Sequence, residues 1–183
     1  ILMQISDLHV GNRFDWNFLI DAFKEAKSFN PDFVVYTGDF VNHGSPEDLQ
    51  SLQKVMDHAV IGRLGTFGVL GNHDYGKNWK NLSSSENICN ILADIGITIL
   101  NNEQRESNGL NFIGFGDLWS PNFRPKEVME NYSPLKANLI LCHNPDVCDL
   151  DVWNGYKGWI LSGHTHGGQC RIPGVITPIL PVK

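Results

Sequence analysis

The sequence predicts an α/β fold built from layers of strands and helices. Short apolar runs typical of buried strands alternate with segments whose apolar residues recur at helical spacing. Polar motifs follow five of the predicted strands. A chain of 183 residues, 42% of them hydrophobic and 19% charged, has the size and composition of a single globular domain with a sizeable core.

The first half of the chain is predicted to alternate strands with helices. Asp15 is a candidate N-cap for the first helix, Ser45-Pro46-Glu47-Asp48 supplies a cap and an acidic first turn for the second, and Gly96 closes the third. The predicted strands are residues 2–6, 33–37 and 67–70, and the predicted helices are 15–29, 86–95 and a segment that follows Ser45 and reaches about residue 63.

The second half is predicted to be richer in strands. Asn108-Gly109 is a strong hairpin signal between strands at 104–107 and 110–115. Further short strands are predicted at 97–100, 139–142 and 159–162.

Composition argues against several classes of function. The formal net charge is −6 and there is no basic stripe, which argues against generic nucleic-acid binding. The longest apolar runs have the length of strands, so no segment is predicted to span a membrane. The four cysteines show no CxxC spacing, which favours free thiols in a reducing compartment. Because the chain opens on Ile1 within a predicted strand, a membrane anchor upstream of this residue is left as an alternative.

The polar motifs supply carboxylate, imidazole and amide groups of the kind that hold divalent metals. They are Ser6-Asp7-Leu8-His9, Gly38-Asp39, Gly71-Asn72-His73-Asp74, Cys142-His143-Asn144 and Gly163-His164-Thr165-His166. Each follows an apolar run, and the carboxyl ends of strands in an open α/β sheet are a common place for a site. Taken singly, each residue has a structural alternative, such as a turn cap or a satisfied core histidine. Taken together, the motifs predict a metal centre that catalyses hydrolysis.

In this order the motifs resemble those of the calcineurin-like metallophosphoesterase superfamily, over nearly the whole chain. The block Gly163-His164-Thr165-His166-Gly167-Gly168-Gln169 is similar to that of bacterial phosphodiesterases, a subgroup that is often membrane-tethered and includes UDP-2,3-diacylglucosamine pyrophosphatases. The resemblance implies a four-layer α/β/β/α sandwich in one metallophosphoesterase domain over residues 1–183. Family domains usually continue past this block, so we expect the last strands of the sheet to be missing.

The resemblance implies a site for two divalent ions, with manganese, iron and zinc as candidates. It assigns Asp7, His9 and His166 to the first metal. Asn72, His143 and His164 would hold the second metal, and Asp39 would bridge both. Alternation along an extended segment places His164 and His166 on one side, where both can reach the cluster, and turns Thr165 away.

Two residues next to these ligands are implied to act in catalysis. His73 would face the phosphate and stabilise or protonate the leaving oxygen, and Asp74 would orient His73 through a ring nitrogen. The alternative for Asp74 is a helix or turn cap. The loop that contains Trp119 and Phe123 is either an apolar wall for substrate or ordinary packing. Arg171 is a candidate phosphate contact or a surface residue.

The expected function is hydrolysis of a phosphodiester or pyrophosphate by a metal-bridging hydroxide. The substrate would be a phosphorylated small molecule or lipid, including lipid-linked compounds and nucleotide sugars. The protein would then be cytoplasmic or membrane-associated, with peripheral membrane contact. The alternatives are a phosphomonoesterase or protein phosphatase, and a non-catalytic scaffold that has the same fold.

Overall fold

The computed structural model describes residues 1–11 and 15–167, which form two β-sheets. The described part of the first sheet contains, in order, β1 (Leu2–Ile5), β2 (Phe33–Thr37), β3 (Gly65–Val69) and β4 (Thr98–Ile99), all parallel. The described part of the second contains β5 (Glu103–Ser107), β6 (Leu110–Gly114), β7 (Ala137–Leu141) and β8 (Ile160–Leu161). In the second sheet β5 and β6 are antiparallel, whereas β6, β7 and β8 are parallel.

Local signals in the sequence place several elements correctly. Asn108 and Gly109 connect β5 and β6 with left-handed backbone at both residues, as the predicted hairpin turn requires. The Asp15 side chain accepts a hydrogen bond from the Asn17 N–H at 2.9 Å. It thereby caps α1 (Trp16–Ser28). Ser45 and Asp48 form the capping box of α2 (Pro46–Met56).

Alternating side chains along the strands separate the core into layers. Val34 and Tyr36 of β2 face the core that α1, α2 and α3 (Leu82–Asp94) cover, whereas Val35 between them faces the second sheet. On the far side of the second sheet, Ile140 packs in a third cluster with residues of α4 (Pro125–Met129). The order helices, sheet, sheet, helix confirms the predicted four-layer α/β/β/α sandwich.

Two helix boundaries differ from the prediction, the end of α2 and the start of α3. We expected α2 to reach about residue 63, but it ends at Met56. The backbone of Val60 instead exchanges hydrogen bonds with the buried Tyr36 hydroxyl, at 3.0 Å from its N–H and 3.1 Å to its carbonyl. Helix α3 begins at Leu82, before the predicted start, because Asn81 caps it by accepting the Ser84 N–H.

Some sequence predictions concern residues that lie outside the described ranges. These are the end of the last motif at Gly168-Gln169 and the candidate phosphate contact Arg171. Among the described helices, none is long and apolar enough to cross a membrane.

Candidate metal centre

The carboxyl ends of five strands from both sheets meet at one edge of the sandwich, and each is followed by a predicted ligand. The Gln4 amide donates to the Ser162 carbonyl at 2.9 Å, which ties β1 to the segment after β8. The His143 ring nitrogen Nδ1, after β7, lies 2.7 Å from the Thr37 carbonyl at the end of β2. The predicted ligands that follow these strands therefore come together at one edge, as expected, and both sheets contribute to the cluster.

Asp39 lies at the centre of this cluster. Its Oδ2 atom is 3.2 Å from Nε2 of His143 and 3.5 Å from Nε2 of His9. On the outer side, Nε2 of His166 lies 3.0 Å from Nε2 of His9 and 3.5 Å from Oδ1 of Asp7. On the inner side, Nδ1 of His164 lies 3.2 Å from Nε2 of His143. Asp39 is thus placed between an outer and an inner group of ligand atoms.

Three groups of potential metal ligands can be defined among the described residues, each with ligand atoms within 4.8 Å of one another. The groups are Asp7, His9 and His166; Asp39, His143 and His164; and His9, Asp39 and His73. The first group contains the three residues that the resemblance assigns to the first metal. The second contains His143 and His164, assigned to the second metal, together with the bridging Asp39 but without Asn72. The third group makes His73 a candidate metal ligand as well, whereas the resemblance implies that it faces the phosphate.

Asn72 has the burial and the unpaired oxygen expected of a metal ligand. It is 1% exposed, and its Oδ1 atom accepts no hydrogen bond from any of the described residues. The residues on either side of it contact Asp39: the His73 N–H donates to Oδ1 of Asp39 at 3.0 Å, and a Cβ atom on Gly71 would lie 2.2 Å from that oxygen. A buried, unpaired amide oxygen beside a carboxylate suits a divalent cation.

Left-handed backbone positions five of the seven predicted ligands. The φ angles are 55° at Asp7, 45° at His9, 55° at Asp39, 68° at His164 and 49° at His166. This conformation is uncommon for residues other than glycine, and such strain concentrates at functional sites. These five ligands are therefore held by sharp local turns beyond the ends of their strands.

The same angles correct one expectation about the last motif. Residues 164–166 are not extended, since both histidines have positive φ angles. His164 reaches the inner group and His166 the outer group because the chain turns between them. The His164 N–H donates to both Asp7 carboxylate oxygens, at 3.0 and 3.2 Å, which fixes this turn against the first motif.

Burial and charge divide the centre into two electrostatic environments. Burial acts to raise the pKa of Asp39, but the imidazoles of His143 and His9 outweigh it and lower this pKa to about 2. Burial acts to lower the pKa of His143, but the Asp39 carboxylate outweighs it and raises this pKa to about 9. For His9, burial dominates and lowers the pKa to about 4. Asp39 and His143 therefore favour each other's charged forms, whereas burial favours the neutral form of His9.

Asp74 does not contact the His73 ring in the manner expected. Its Oδ1 accepts N–H bonds from Phe40 at 2.8 Å and Val41 at 3.1 Å, and its Oδ2 accepts the Gly71 N–H at 2.9 Å. Nδ1 of His73 instead lies 2.6 Å from the Asn42 carbonyl. The expected orienting contact is therefore wrong, and Asp74 has the alternative role of a turn cap, which joins the loops that carry Asp39 and Asn72.

Apolar surfaces flank the centre on two sides. Next to the outer group, a pocket of about 220 Å³ has Leu8, Phe18 and Leu19 among its walls. Next to the inner group, the Trp119 ring meets the His164 ring edge-on, with centroids 4.6 Å apart. Phe123 packs against the core beneath α4. Of the two aromatic residues considered as a substrate wall, only Trp119 contacts the centre.

Several functional groups had no readable signal in the sequence. The Thr37 and Asn42 carbonyls fix histidine rings, but backbone carbonyls cannot be singled out in a sequence. Trp79 stacks on Trp119, with centroids 4.7 Å apart, and the only hint was the turn-forming Gly76-Lys77-Asn78 before it.

Comparison with family models identifies this arrangement. Residues 2–168 match the model described as calcineurin-like phosphoesterase. The chain belongs to this family. The resemblance seen in the motifs is confirmed, and it includes the bacterial phosphodiesterase and pyrophosphatase subgroup.

Three curated bacterial proteins illustrate the relationship. UDP-2,3-diacylglucosamine pyrophosphatase LpxG of Chlamydia muridarum is 30% identical over 94% of this chain and 65% of its own. Phosphodiesterase YaeI of Escherichia coli is 28% identical over 100% of this chain and 66% of its own. The uncharacterized metallophosphoesterase Cj0846 of Campylobacter jejuni is 30% identical over 92% of this chain and 44% of its own. The chain therefore spans two thirds or less of the length of each of these relatives.

Proposed function

We propose that this protein is a metal-dependent hydrolase that cleaves a phosphodiester or pyrophosphate bond. The observation that carries the proposal is the position of Asp39, whose Oδ2 lies within 3.5 Å of imidazole nitrogens from both the inner and the outer group. A carboxylate in that position can serve two cations at once and offset their mutual repulsion.

The proposed ligands suit transition metals. Asp7, His9 and His166 would hold one ion, Asn72, His143 and His164 the other, and Asp39 both. Mixed nitrogen and oxygen donors favour manganese, iron or zinc over calcium. When bound, such ions supply positive charge for the phosphoryl oxygens and a nucleophile at neutral pH.

The chain's own contribution is to orient groups and to move a proton. His143 is held by the Thr37 carbonyl at Nδ1, which directs Nε2 towards Asp39. The Asn42 carbonyl lies 2.6 Å from Nδ1 of His73 and fixes this ring in the same way, which leaves its Nε2 available for a substrate. We propose that Nε2 of His73, when protonated, donates to the leaving oxygen.

The substrate is proposed to be a lipid-linked or nucleotide-sugar phosphate. The name of LpxG supports this class, as does the apolar pocket formed by Leu8, Phe18 and Leu19 beside Asp7. The name of YaeI supports cleavage of a phosphodiester. A substrate with an apolar tail would bring the protein into peripheral contact with a membrane. A cytoplasmic or membrane-associated location is proposed on the same grounds.

Turnover assays with and without metal test the function. After chelation and dialysis the protein should be inactive, and added Mn²⁺ should restore hydrolysis of bis-p-nitrophenyl phosphate and of UDP-2,3-diacylglucosamine. Faster hydrolysis of p-nitrophenyl phosphate would favour the phosphomonoesterase or protein-phosphatase alternative. A folded, metal-loaded protein that cleaves none of these would contradict the proposal and favour a scaffold.

A further inference from the structure

Two tryptophans form a stacked pair that extends outward from the inner metal-ligand group. The Trp79 and Trp119 rings have centroids 4.7 Å apart and an interplanar angle of 26°. Trp119 is the inner member, since its ring meets the His164 ring edge-on at 4.6 Å. Trp79 is the outer member and remains 38% exposed. The pair is thus continuous with the proposed catalytic centre at one end and with solvent at the other.

Trp119 is fixed in place by a buried turn. The Asp117 side chain is fully buried, and its Oδ1 accepts the Trp119 N–H at 2.9 Å. The Asp117 carbonyl accepts the Ser120 N–H at 3.1 Å and the Ser120 hydroxyl at 2.9 Å. Such an Asx turn defines the direction in which the indole leaves the backbone.

Trp79 is held in solvent by strained backbone. Asn78 and Trp79 have φ angles of 68° and 58°, a conformation that is a genuine outlier for a bulky residue. The Trp79 N–H donates to the Gly76 carbonyl at 3.0 Å, and the Asn81 N–H donates to the backbone carbonyl of Tyr75 at 2.8 Å, so the loop is closed at its base. Strain that keeps a large aromatic ring half in water favours a binding role over core packing.

Charge and shape around the pair indicate what it would bind. Lys77 and Lys80 on either side of Trp79 are exposed and attract an anionic ester. The apolar pocket with Leu8 and Leu19 lies beside the other metal-ligand group, so an acyl chain already has a separate surface. An indole pair instead offers a flat face on which a planar ring can stack.

We propose that Trp79 and Trp119 form a stacking platform for a planar aromatic group esterified to the substrate phosphate. The inference rests on the proposed phosphodiesterase function and specifies its substrate. The aromatic group would stack on Trp79 while its phosphate lies at the metal centre beside Trp119.

The kinetic test uses two substrates with the same leaving group. Bis-p-nitrophenyl phosphate carries a second aromatic ester, whereas methyl p-nitrophenyl phosphate carries a methyl group in its place. In the Mn²⁺-loaded protein, Trp79→Ala should raise KM for the aryl diester by about 10-fold, the scale of a lost stacking contact. KM for the methyl diester should not change, and Trp79→Phe should restore most of the loss. Trp159→Ala is the matched control, because Trp159 is 78% exposed and precedes β8 at the end remote from the ligands.

A binding test keeps the inference separate from the proposed function. Calorimetry should show that the metal-loaded protein binds phenylphosphonate more tightly than methylphosphonate, and that Trp79→Ala removes this preference. Equal losses for both phosphonates, or for both substrates, would show that Trp79 only supports the fold and would overturn the inference. Absence of turnover with the phosphonate preference intact would overturn the phosphodiesterase function but not the platform.

Discussion

Replacing Asp74 by Asn tests whether this residue is a turn cap or a partner of His73. Its two carboxylate oxygens accept three backbone N–H groups, from Phe40, Val41 and Gly71, in a fully buried position. An amide has only one oxygen, so Asp74→Asn must lose at least one of these bonds and place an NH₂ group against a backbone N–H. The substitution therefore breaks the connection between the loops that carry Asp39 and Asn72.

The size of the effect follows from the protonation state of Asp74. Burial, followed by the Asp39 carboxylate, raises the pKa of Asp74 to about 8, so the carboxyl is mostly neutral at pH 7. A hydrogen bond to a neutral group contributes about 0.5–1.5 kcal/mol, and a buried N–H left without an acceptor costs about 1–3 kcal/mol. We expect a net destabilisation of about 2 kcal/mol, or roughly 4–8 °C in Tm for a domain of this size.

Thermal and urea unfolding of the metal-free protein measure this effect, with Asp57→Asn at an exposed position as the control. Metal affinity should fall as well, because Asn72 depends on the Gly71 turn. If Asp74→Asn kept the wild-type Tm and metal content but lowered kcat, the assignment of Asp74 as a turn cap would be wrong. That result would instead support the originally expected role, in which Asp74 orients His73.

Three further predictions concern the centre itself. Asp39→Asn should remove both metals and lower the rate of hydrolysis by several orders of magnitude, because charge stabilisation by the metals amounts to several kcal/mol. Asp7→Asn should weaken the binding of mainly one metal. Elemental analysis and kinetics distinguish the two variants. His73→Ala should lower kcat by about 10²–10⁴-fold with both metals bound, and by less for p-nitrophenolate leaving groups; loss of a metal would show that His73 is a ligand. Metal binding at pH 7 should release a proton, because Asp39 raises the pKa of His143 to about 9 and a ligand must be neutral. Metal affinity should therefore increase as the pH rises towards that pKa. Calorimetry in buffers of different ionisation enthalpy counts the protons released on metal binding, and a count of zero would contradict this prediction.

The parts of the fold that the sequence predicted are those governed by neighbouring residues. The Asp15 cap, the Ser45–Asp48 capping box and the Asn108-Gly109 turn depend on hydrogen bonds and φ preferences within a few residues. The end of α2 was wrong because it depends on Tyr36, which is distant in sequence and binds the Val60 backbone in place of a helical partner. Helix α4 was not predicted, since five residues are too few for a periodic pattern.

The candidate centre shows the same division. Residue types and their positions after strands predicted which side chains would meet, and the structure brings their ligand atoms together. The orientation of these side chains was harder to predict from the sequence, because it depends on left-handed turns at residues such as His164 and on carbonyl groups such as that of Thr37. Trp79 was missed for a related reason: only the folded loop places it on Trp119.

Anomalous diffraction from crystals grown with Mn²⁺ would show whether Asp39 serves two metal ions. Two anomalous peaks are expected, both in contact with the Asp39 carboxylate. One should be bound by Asp7, His9 and His166, and the other by Asn72, His143 and His164. A single peak, or two peaks that do not share Asp39, would contradict this role of Asp39.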